Sequence, residues 1–181
     1  MNKFIFRLVI LFFLSLPFHR VQAQQSKVYT YEAMDSYQLS GKQLEEKCLQ
    51  VIIQQSVGSQ APMIRFSLTT SASSKYGGHA AWFEKGKSQY YKEIVDMDNQ
   101  KVNVLALYSS DFNICVSILQ PHESRMRGYI SFGNRYDPSK VNESIWVELT
   151  PGEVTEIMNV VGKEVKRLGF PKFDDSSLDI E

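Results

Sequence analysis

The amino-acid sequence predicts an α+β fold, in which an antiparallel meander sheet of about six to seven strands carries an N-terminal and a C-terminal helix packed on one face. Two observations support this class. Short runs of alternating apolar and polar residues follow one another over residues 63–149, with turn residues between them. These runs lack the alternating helices that a parallel sheet requires, so neighbouring strands are expected to be antiparallel.

Residues 1–23 have the pattern of a secretory signal peptide. Lys3 and Arg7 stand near the start, an apolar run covers residues 8–18, and a polar segment ends at Ala23. The apolar run is shorter than the roughly 20 residues that a membrane-spanning helix needs. We therefore expect cleavage after Ala23, a secreted or periplasmic location, and no stable membrane span in the mature chain.

The mature chain is expected to form a single domain at residues 24–173, followed by an acidic flexible tail at residues 174–181. Its length is one at which a single domain buries most of its apolar surface. Cleavage removes three basic residues and no acidic one, so 20 basic and 20 acidic residues become 17 and 20, a net charge of −3. A mildly acidic chain disfavours a nucleic-acid partner, because such partners usually require a strongly basic face.

The first predicted strand covers residues 27–32, where two tyrosines alternate with smaller residues. A helix is predicted at residues 41–56, because Ser40 and Gln43 match a capping box and apolar residues recur at helical spacing behind them. Residues 51–53 leave a strand open as an alternative, since all three are β-branched.

Further strands follow in close succession. Residues 102–108 and 114–119 are the most apolar and are expected at the centre of the sheet. Residues 89–97 also suit a short helix, and the residues after them predict a polar turn. The predicted strands of this series are residues 64–69, 79–84, 89–97, 102–108, 114–119, 128–132 and 143–149.

The C-terminal helix has the strongest local signals. Thr150 and Glu153 form a capping box around Pro151, whose fixed φ suits the first helical position. Apolar residues then recur every three or four positions, which predicts one buried stripe. Gly169, followed by Pro171, supplies a left-handed cap and a stop. The apolar stripe of this helix is expected to pack against a sheet.

Cys48 and Cys115 are the only two cysteines of the chain. An even number in an oxidising compartment favours a disulfide bond, which would tie the N-terminal helix to a central strand. By the loop-entropy argument, such a bridge stabilises the fold by about 4 kcal/mol. Two buried thiols that act as small apolar side chains are the alternative.

His79 is the first candidate site residue. It follows Gly77 and Gly78, and paired glycines let a backbone approach a ligand closely, although they also make an ordinary turn. A second candidate group consists of Arg127, Tyr129, Arg135 and Tyr136, a mixture of cations and rings that suits an anion or a stacked ring.

Two further interpretations concern the basic residues of this group and the aromatic residues of the mature chain. A charged strand edge that prevents sheets from pairing also explains the basic residues of the second group. The mature chain is rich in tyrosine and tryptophan, and such residues on the outer face of a sheet form a platform for protein or sugar contact.

No catalytic, cofactor or metal motif is present in the sequence. There is no nucleophile elbow, phosphate-binding loop or dinucleotide glycine pattern. The two histidines of the mature chain, without clustered cysteines, do not make a metal site, and the segment after Asp96 lacks the glycine and glutamate of a calcium loop. We therefore assign no catalytic residue, cofactor or metal ligand.

These observations favour an exported, non-enzymatic domain that binds a protein or an envelope ligand, with inhibition of a partner as one form of that role. Two alternatives stay open. One is a small hydrolase with a site around His79 and a strand carboxylate. The other is a structural component of a surface assembly. The oligomeric state is not specified by the sequence.

Overall fold

The computed structural model of the protein describes residues 26–56, 58–73, 78–110, 113–123, 125–133 and 143–173. The predicted signal peptide, the predicted tail, Arg135 and Tyr136 lie outside these ranges. The described residues form ten strands and one helix, α1 (Pro151–Arg167). The strands are β1 (Ser26–Glu32), β2 (Asp35–Gln38), β3 (Cys48–Gln54), β4 (Met63–Thr69), β5 (His79–Glu84), β6 (Ser88–Met97), β7 (Gln100–Ser109), β8 (Cys115–Pro121), β9 (Gly128–Gly133) and β10 (Ile145–Leu149).

These strands form two antiparallel sheets, so the prediction of a single meander sheet is wrong. A four-stranded sheet has the order β1-β3-β4-β5, and a six-stranded sheet has the order β2-β10-β9-β8-β7-β6. The consecutive strands β6 to β10 do form a meander. The early strands separate from it because β3 pairs with both β1 and β4 and so completes a sheet of its own.

The predicted N-terminal helix at residues 41–56 is also wrong. A turn at Gly41, with φ of 90°, precedes β3. Leu49, Val51 and Ile53 are buried in β3 and alternate with half-buried residues, which is the period of a strand. The β-branched side chains favour this conformation, and pairing on both edges of the strand stabilises it. The strand alternative for residues 51–53 is therefore confirmed.

The later strands lie close to their predicted positions. Residues 89–97 belong to β6, so the strand interpretation is confirmed there and the helical one is wrong. Asp98 and Asn99, between β6 and β7, have positive φ values of 50° and 65°. A two-residue hairpin turn of this kind needs positive φ at both central residues, and Asp and Asn tolerate it best after glycine. The predicted polar turn is confirmed.

One hydrophobic core joins the two sheets and the helix. Phe66 of β4 and Phe132 of β9 meet edge to face with ring centroids 6.5 Å apart, which connects the two sheets directly. α1 packs over β8 and β9 and buries its apolar stripe there. The inner face of the six-stranded sheet is therefore covered by both the helix and the four-stranded sheet.

The ends of α1 confirm the predicted caps. Thr150 Oγ1 accepts a hydrogen bond from the Glu153 amide at 3.3 Å, and the Glu153 carboxylate accepts one from the Thr150 amide at 3.1 Å. At the other end, Gly169 has φ of 73°. The Phe170 amide donates to the Val165 carbonyl at 2.9 Å, which closes the helix in the manner of a Schellman motif.

Two polar contacts hold α1 beside β1. Tyr31 Oη donates to Glu156 Oε1 at 3.3 Å. Glu164 has a buried carboxylate that lies 2.6 Å from Arg167 Nη2 and 3.9 Å from Lys27 Nζ. The two cations compensate the burial of this charge.

The predicted disulfide between Cys48 and Cys115 is wrong, because the two residues are not bonded to each other. Cys48 alternates with buried Leu49 and therefore faces the outside of the four-stranded sheet. Cys115 packs with Ala106 and Tyr108 on the outside of the six-stranded sheet. The core separates the two side chains, which point in opposite directions.

Within the described ranges, no helix combines the length and the apolar character that crossing a membrane requires.

The first testable prediction concerns the close approach of β9 to α1. A Cβ atom at Gly128 would lie 2.4 Å from Val154 Cγ1. We expect Gly128→Ala to lower the free energy of unfolding by about 1–3 kcal/mol through this overlap. Chemical denaturation measures the change.

Gly152→Ala is the matched control, since a Cβ atom there has no neighbour within 4 Å. It should leave stability unchanged or raise it slightly. Adding Val154→Ala should recover part of the Gly128→Ala loss. Equal stability of the wild type and Gly128→Ala would contradict the close packing.

The second testable prediction concerns Tyr31. Burial, and next the charge of Glu156, raise the pKa of Tyr31 above its ordinary value of 10.0. The folded protein therefore keeps this proton at a pH where the unfolded chain has released it. The contribution of protonated Tyr31 to the free energy of unfolding is lost as the pH rises above 10. The unfolding free energy of the wild type should fall more steeply above pH 10 than that of Tyr31→Phe. Glu156→Gln should reduce the difference, and parallel curves for wild type and Tyr31→Phe would contradict the assignment.

Candidate functional site

The outer face of the six-stranded sheet carries the side chains that alternate with the core residues. Because the strands pair in register, these side chains form rows across the sheet. One row has aromatic residues towards its ends and small residues at its centre. Its members, in order from β2 to β6, are Tyr37, Trp146, Ser131, Ser117, Ala106 and Tyr91.

A groove of about 360 Å³ lies on this outer face. We call it the outer-face groove. Tyr91 of β6 and Trp146 of β10 line its two ends, and Ser117 and Ser131 lie between them. Four strand spacings separate the backbones of the two end residues, a distance of about 19 Å. Small side chains at the centre and large rings at the ends make the surface concave, and its volume is within the range of small-molecule sites.

The groove also contains specific polar groups. Tyr91 Oη donates a hydrogen bond to the Glu93 carboxylate, and Cys115 Sγ lies 3.6 Å from Ser117 Oγ. Trp146 Nε1 is buried and has no hydrogen-bond acceptor among the described residues. A buried donor without an acceptor costs about 1–3 kcal/mol, and an acceptor on a bound molecule would recover this cost if the indole turned Nε1 towards the groove.

Glu93 is the only residue with a formal charge at neutral pH among the described residues that line the groove. The remaining lining is aromatic, aliphatic or hydroxyl-bearing: Tyr91, Met97, Val104, Tyr108, Cys115, Ser117, Leu119, Ser131, Gly133, Ser144 and Trp146. The groove therefore suits a ligand that has little charge and that presents both apolar surface and hydrogen-bonding groups.

Two of the predicted binding residues lie beside this groove. Tyr129 projects from β9 on the same face, and its ring meets that of Trp146 with centroids 5.9 Å apart and an interplanar angle of 68°. Arg127 forms an ion pair with Glu148 of β10. The arginine charge is thus compensated by a carboxylate, which weakens the predicted anion site. The other two predicted residues, Arg135 and Tyr136, lie outside the described residues.

Tyr37 extends the aromatic surface to the edge strand β2, where it is paired with Trp146. Burial, and next its neighbours Tyr129 and Glu148, raise the pKa of Tyr37 above its ordinary value. Its phenol is an uncharged hydrogen-bond donor at neutral pH, and the raised pKa extends this state to more alkaline solution.

His79 lies away from the groove, in the other sheet. It is the first residue of β5 and pairs with Leu68 of β4. The preceding Gly78 has φ of 95°, and a Cβ atom there would lie 2.1 Å from the Leu68 carbonyl oxygen. Glycine is needed here for the approach of one strand to another, which supports the turn interpretation. None of the contacts among the described residues joins His79 to a carboxylate.

Among the residues that the structure describes, no three histidine, cysteine or acidic side chains lie close enough together to hold a metal ion. His122 Nε2 lies 3.0 Å from Asn103 Oδ1 near the end of β8, where it belongs to a polar contact between strands.

Sequence reasoning missed most of the residues that line the groove. The high aromatic content indicated a platform on an outer sheet face, and the tyrosines and tryptophans carry that signal. The position of Trp146 opposite Ser131, and of Tyr91 beyond Ala106, depends on the register between strands. Register is set by turn geometry and by the pairing of whole strands, so single residues do not reveal which side chains stand opposite each other.

Comparisons of this chain with models of protein families, with curated proteins and with solved structures gave no match.

A testable prediction concerns the two tryptophans, which lie on the outer faces of different sheets. Trp82 is 55% exposed, whereas Trp146 is half-buried. The variant Trp146→Phe leaves Trp82 as the only tryptophan, and Trp82→Phe leaves Trp146, so that excitation at about 295 nm reports on one indole in each protein. Acrylamide should quench the first protein several-fold more steeply than the second. When both proteins are unfolded in guanidinium chloride, their quenching should rise equally with acrylamide concentration. Equal quenching of the two native proteins would contradict the burial of Trp146.

Proposed function

We propose that this protein is an exported, non-enzymatic binding domain that holds a small ligand in the outer-face groove. The observation that carries the proposal is the concave aromatic groove, whose lining includes Trp146; the Nε1 of this residue is a buried donor without an acceptor among the described residues. Small-molecule sites combine an apolar lining with a few convergent polar groups in this way.

Binding fits the groove better than catalysis does. The described lining contains no histidine and a single carboxylate, Glu93, which is bonded to Tyr91. General acid–base catalysis most often uses a histidine or a carboxylate within hydrogen-bond reach of the proton that is transferred. His79, which the hydrolase hypothesis requires, lies in the other sheet without a carboxylate partner among the described residues.

The shape of the face favours a small ligand over a protein partner. Protein interfaces of standard size bury about 800 Å² on each partner and are broad. The outer-face groove is concave, and serine and glycine residues lie between its larger rings. A surface of this form encloses a compact molecule more completely than a flat protein surface.

Export is supported by residues 1–23, whose basic start, apolar centre and small residue at the cleavage position are those of a signal peptide. The ligand is then one that occurs in the periplasm or outside the cell. Mature protein that begins at Gln24 retains all the strands and the helix described above.

A fragment screen by nuclear magnetic resonance tests the proposed site. The mature chain labelled with ¹⁵N gives two indole N–H signals, one for each tryptophan. Neutral fragments should shift the Trp146 signal and the backbone amides of Ser117 and Ser131. The Trp82 signal on the other sheet should stay in place and serves as an internal control.

Two variants sharpen this screen. Ser131→Phe places a ring on the floor of the groove and should abolish the shifts. Thr30→Phe places the same ring on the outer face of the four-stranded sheet and should leave them unchanged. Fragment shifts that cluster around Trp82, or that survive in Ser131→Phe, would contradict a ligand site in the groove.

A further inference from the structure

The two ends of the outer-face groove present aromatic rings. Tyr91 and Trp146 stand on strands at opposite sides of the meander, and Tyr129 packs edge to face on Trp146. An aromatic face carries partial negative charge, so it attracts the weakly positive C–H groups of a saturated ring. A ligand that bridges the groove should therefore have flat faces lined by C–H groups.

The polar groups of the groove call for both donors and acceptors on the ligand. Trp146 Nε1 needs an acceptor, which a ligand supplies once the indole turns this buried atom towards the groove, and the Glu93 carboxylate accepts from a donor. The hydroxyls of Ser117 and Ser131 lie between them and do either. A hydroxyl group on the ligand satisfies every one of these positions.

Other ligand classes leave one of these requirements unmet. An anion would be repelled by Glu93, and no cation lines the groove among the described residues, since Arg127 is paired with Glu148. A hydrocarbon would bury Trp146 Nε1 and the serine hydroxyls without partners. An organic cation would pair with Glu93 and stack on the rings, but its ammonium group offers the indole N–H no acceptor, and a single hydroxyl, as in choline, serves only one of the polar positions of the groove.

We propose that the ligand of the outer-face groove is a neutral carbohydrate, bound with its C–H faces on the aromatic ends and its hydroxyls on Trp146, Glu93 and the serines. This inference rests on the proposed function, since it names the ligand class of the same site. The groove volume of about 360 Å³ suits a monosaccharide or a disaccharide.

Titration of the labelled mature chain with defined sugars tests the inference. The probes are glucose, maltose, cellobiose, lactose and N,N′-diacetylchitobiose, with glucuronate as an anion and choline as a cation. At least one neutral sugar should shift the Trp146 indole N–H signal along a saturable curve. Glucuronate and choline should bind at least about tenfold more weakly than that sugar.

Three variants assign the contacts, with the Ser131 amide as the reporter. Glu93→Gln and Trp146→Phe should each weaken binding of the sugar by about tenfold, because each removes one hydrogen-bonding group. Glu32→Gln is the matched control. It changes an exposed carboxylate on the outer face of β1, and it should leave the affinity unchanged.

The outcomes separate this inference from the proposed function. The carbohydrate assignment is overturned, and the proposed binding site is retained, if neutral fragments bind in the groove and no neutral sugar does. The same conclusion follows if choline or glucuronate binds in the groove more tightly than every neutral sugar. If neither fragments nor sugars shift the Trp146 signal, both proposals fail. Sugar binding that is unaffected by Glu93→Gln and Trp146→Phe also overturns the assignment.

Discussion

The structure depends on how the inner face of the six-stranded sheet is covered. Two elements share that face: helix α1 lies over β8 and β9, and the four-stranded sheet reaches it through the contact between Phe66 and Phe132. The position of the helix is fixed by its close approach to Gly128 and by its polar contacts with β1. Because both elements lie on the inner face, the opposite face carries the groove.

The composition of that opposite face follows from the pleat of the strands. Successive side chains alternate between the two faces, so each buried residue of β8 to β10 has an outward neighbour. In the outward row that runs from Tyr37 to Tyr91, small residues stand at the centre and aromatic residues stand towards the ends. Side chains of different size on one row make a concave surface, and one of its lining residues, Trp146, has a buried indole donor without an acceptor among the described residues.

The sequence predicted the elements whose signals are local. Thr150, Glu153 and Gly169 mark the ends of α1, and the polar turn at Asp98 and Asn99 was predicted from the same short-range chemistry. β3 was mistaken for a helix because its apolar residues fit both periods, and only pairing with β1 and β4 decides between them. The disulfide prediction failed for a related reason: the face on which each cysteine lies depends on the arrangement of two sheets. Tyr129 was found beside the groove, whereas Trp146, Tyr91 and Glu93 come together through register alone.

The central claim is that ligand binding takes place on the outer face of the six-stranded sheet, opposite the helix. A crystal structure of the mature chain soaked with neutral fragments and disaccharides measures this most directly. We expect ligand density over Ser117 and Ser131, between Tyr91 and Trp146, with an acceptor atom within hydrogen-bond distance of Trp146 Nε1. Density confined to the face that carries Trp82, or located near His79, would contradict it.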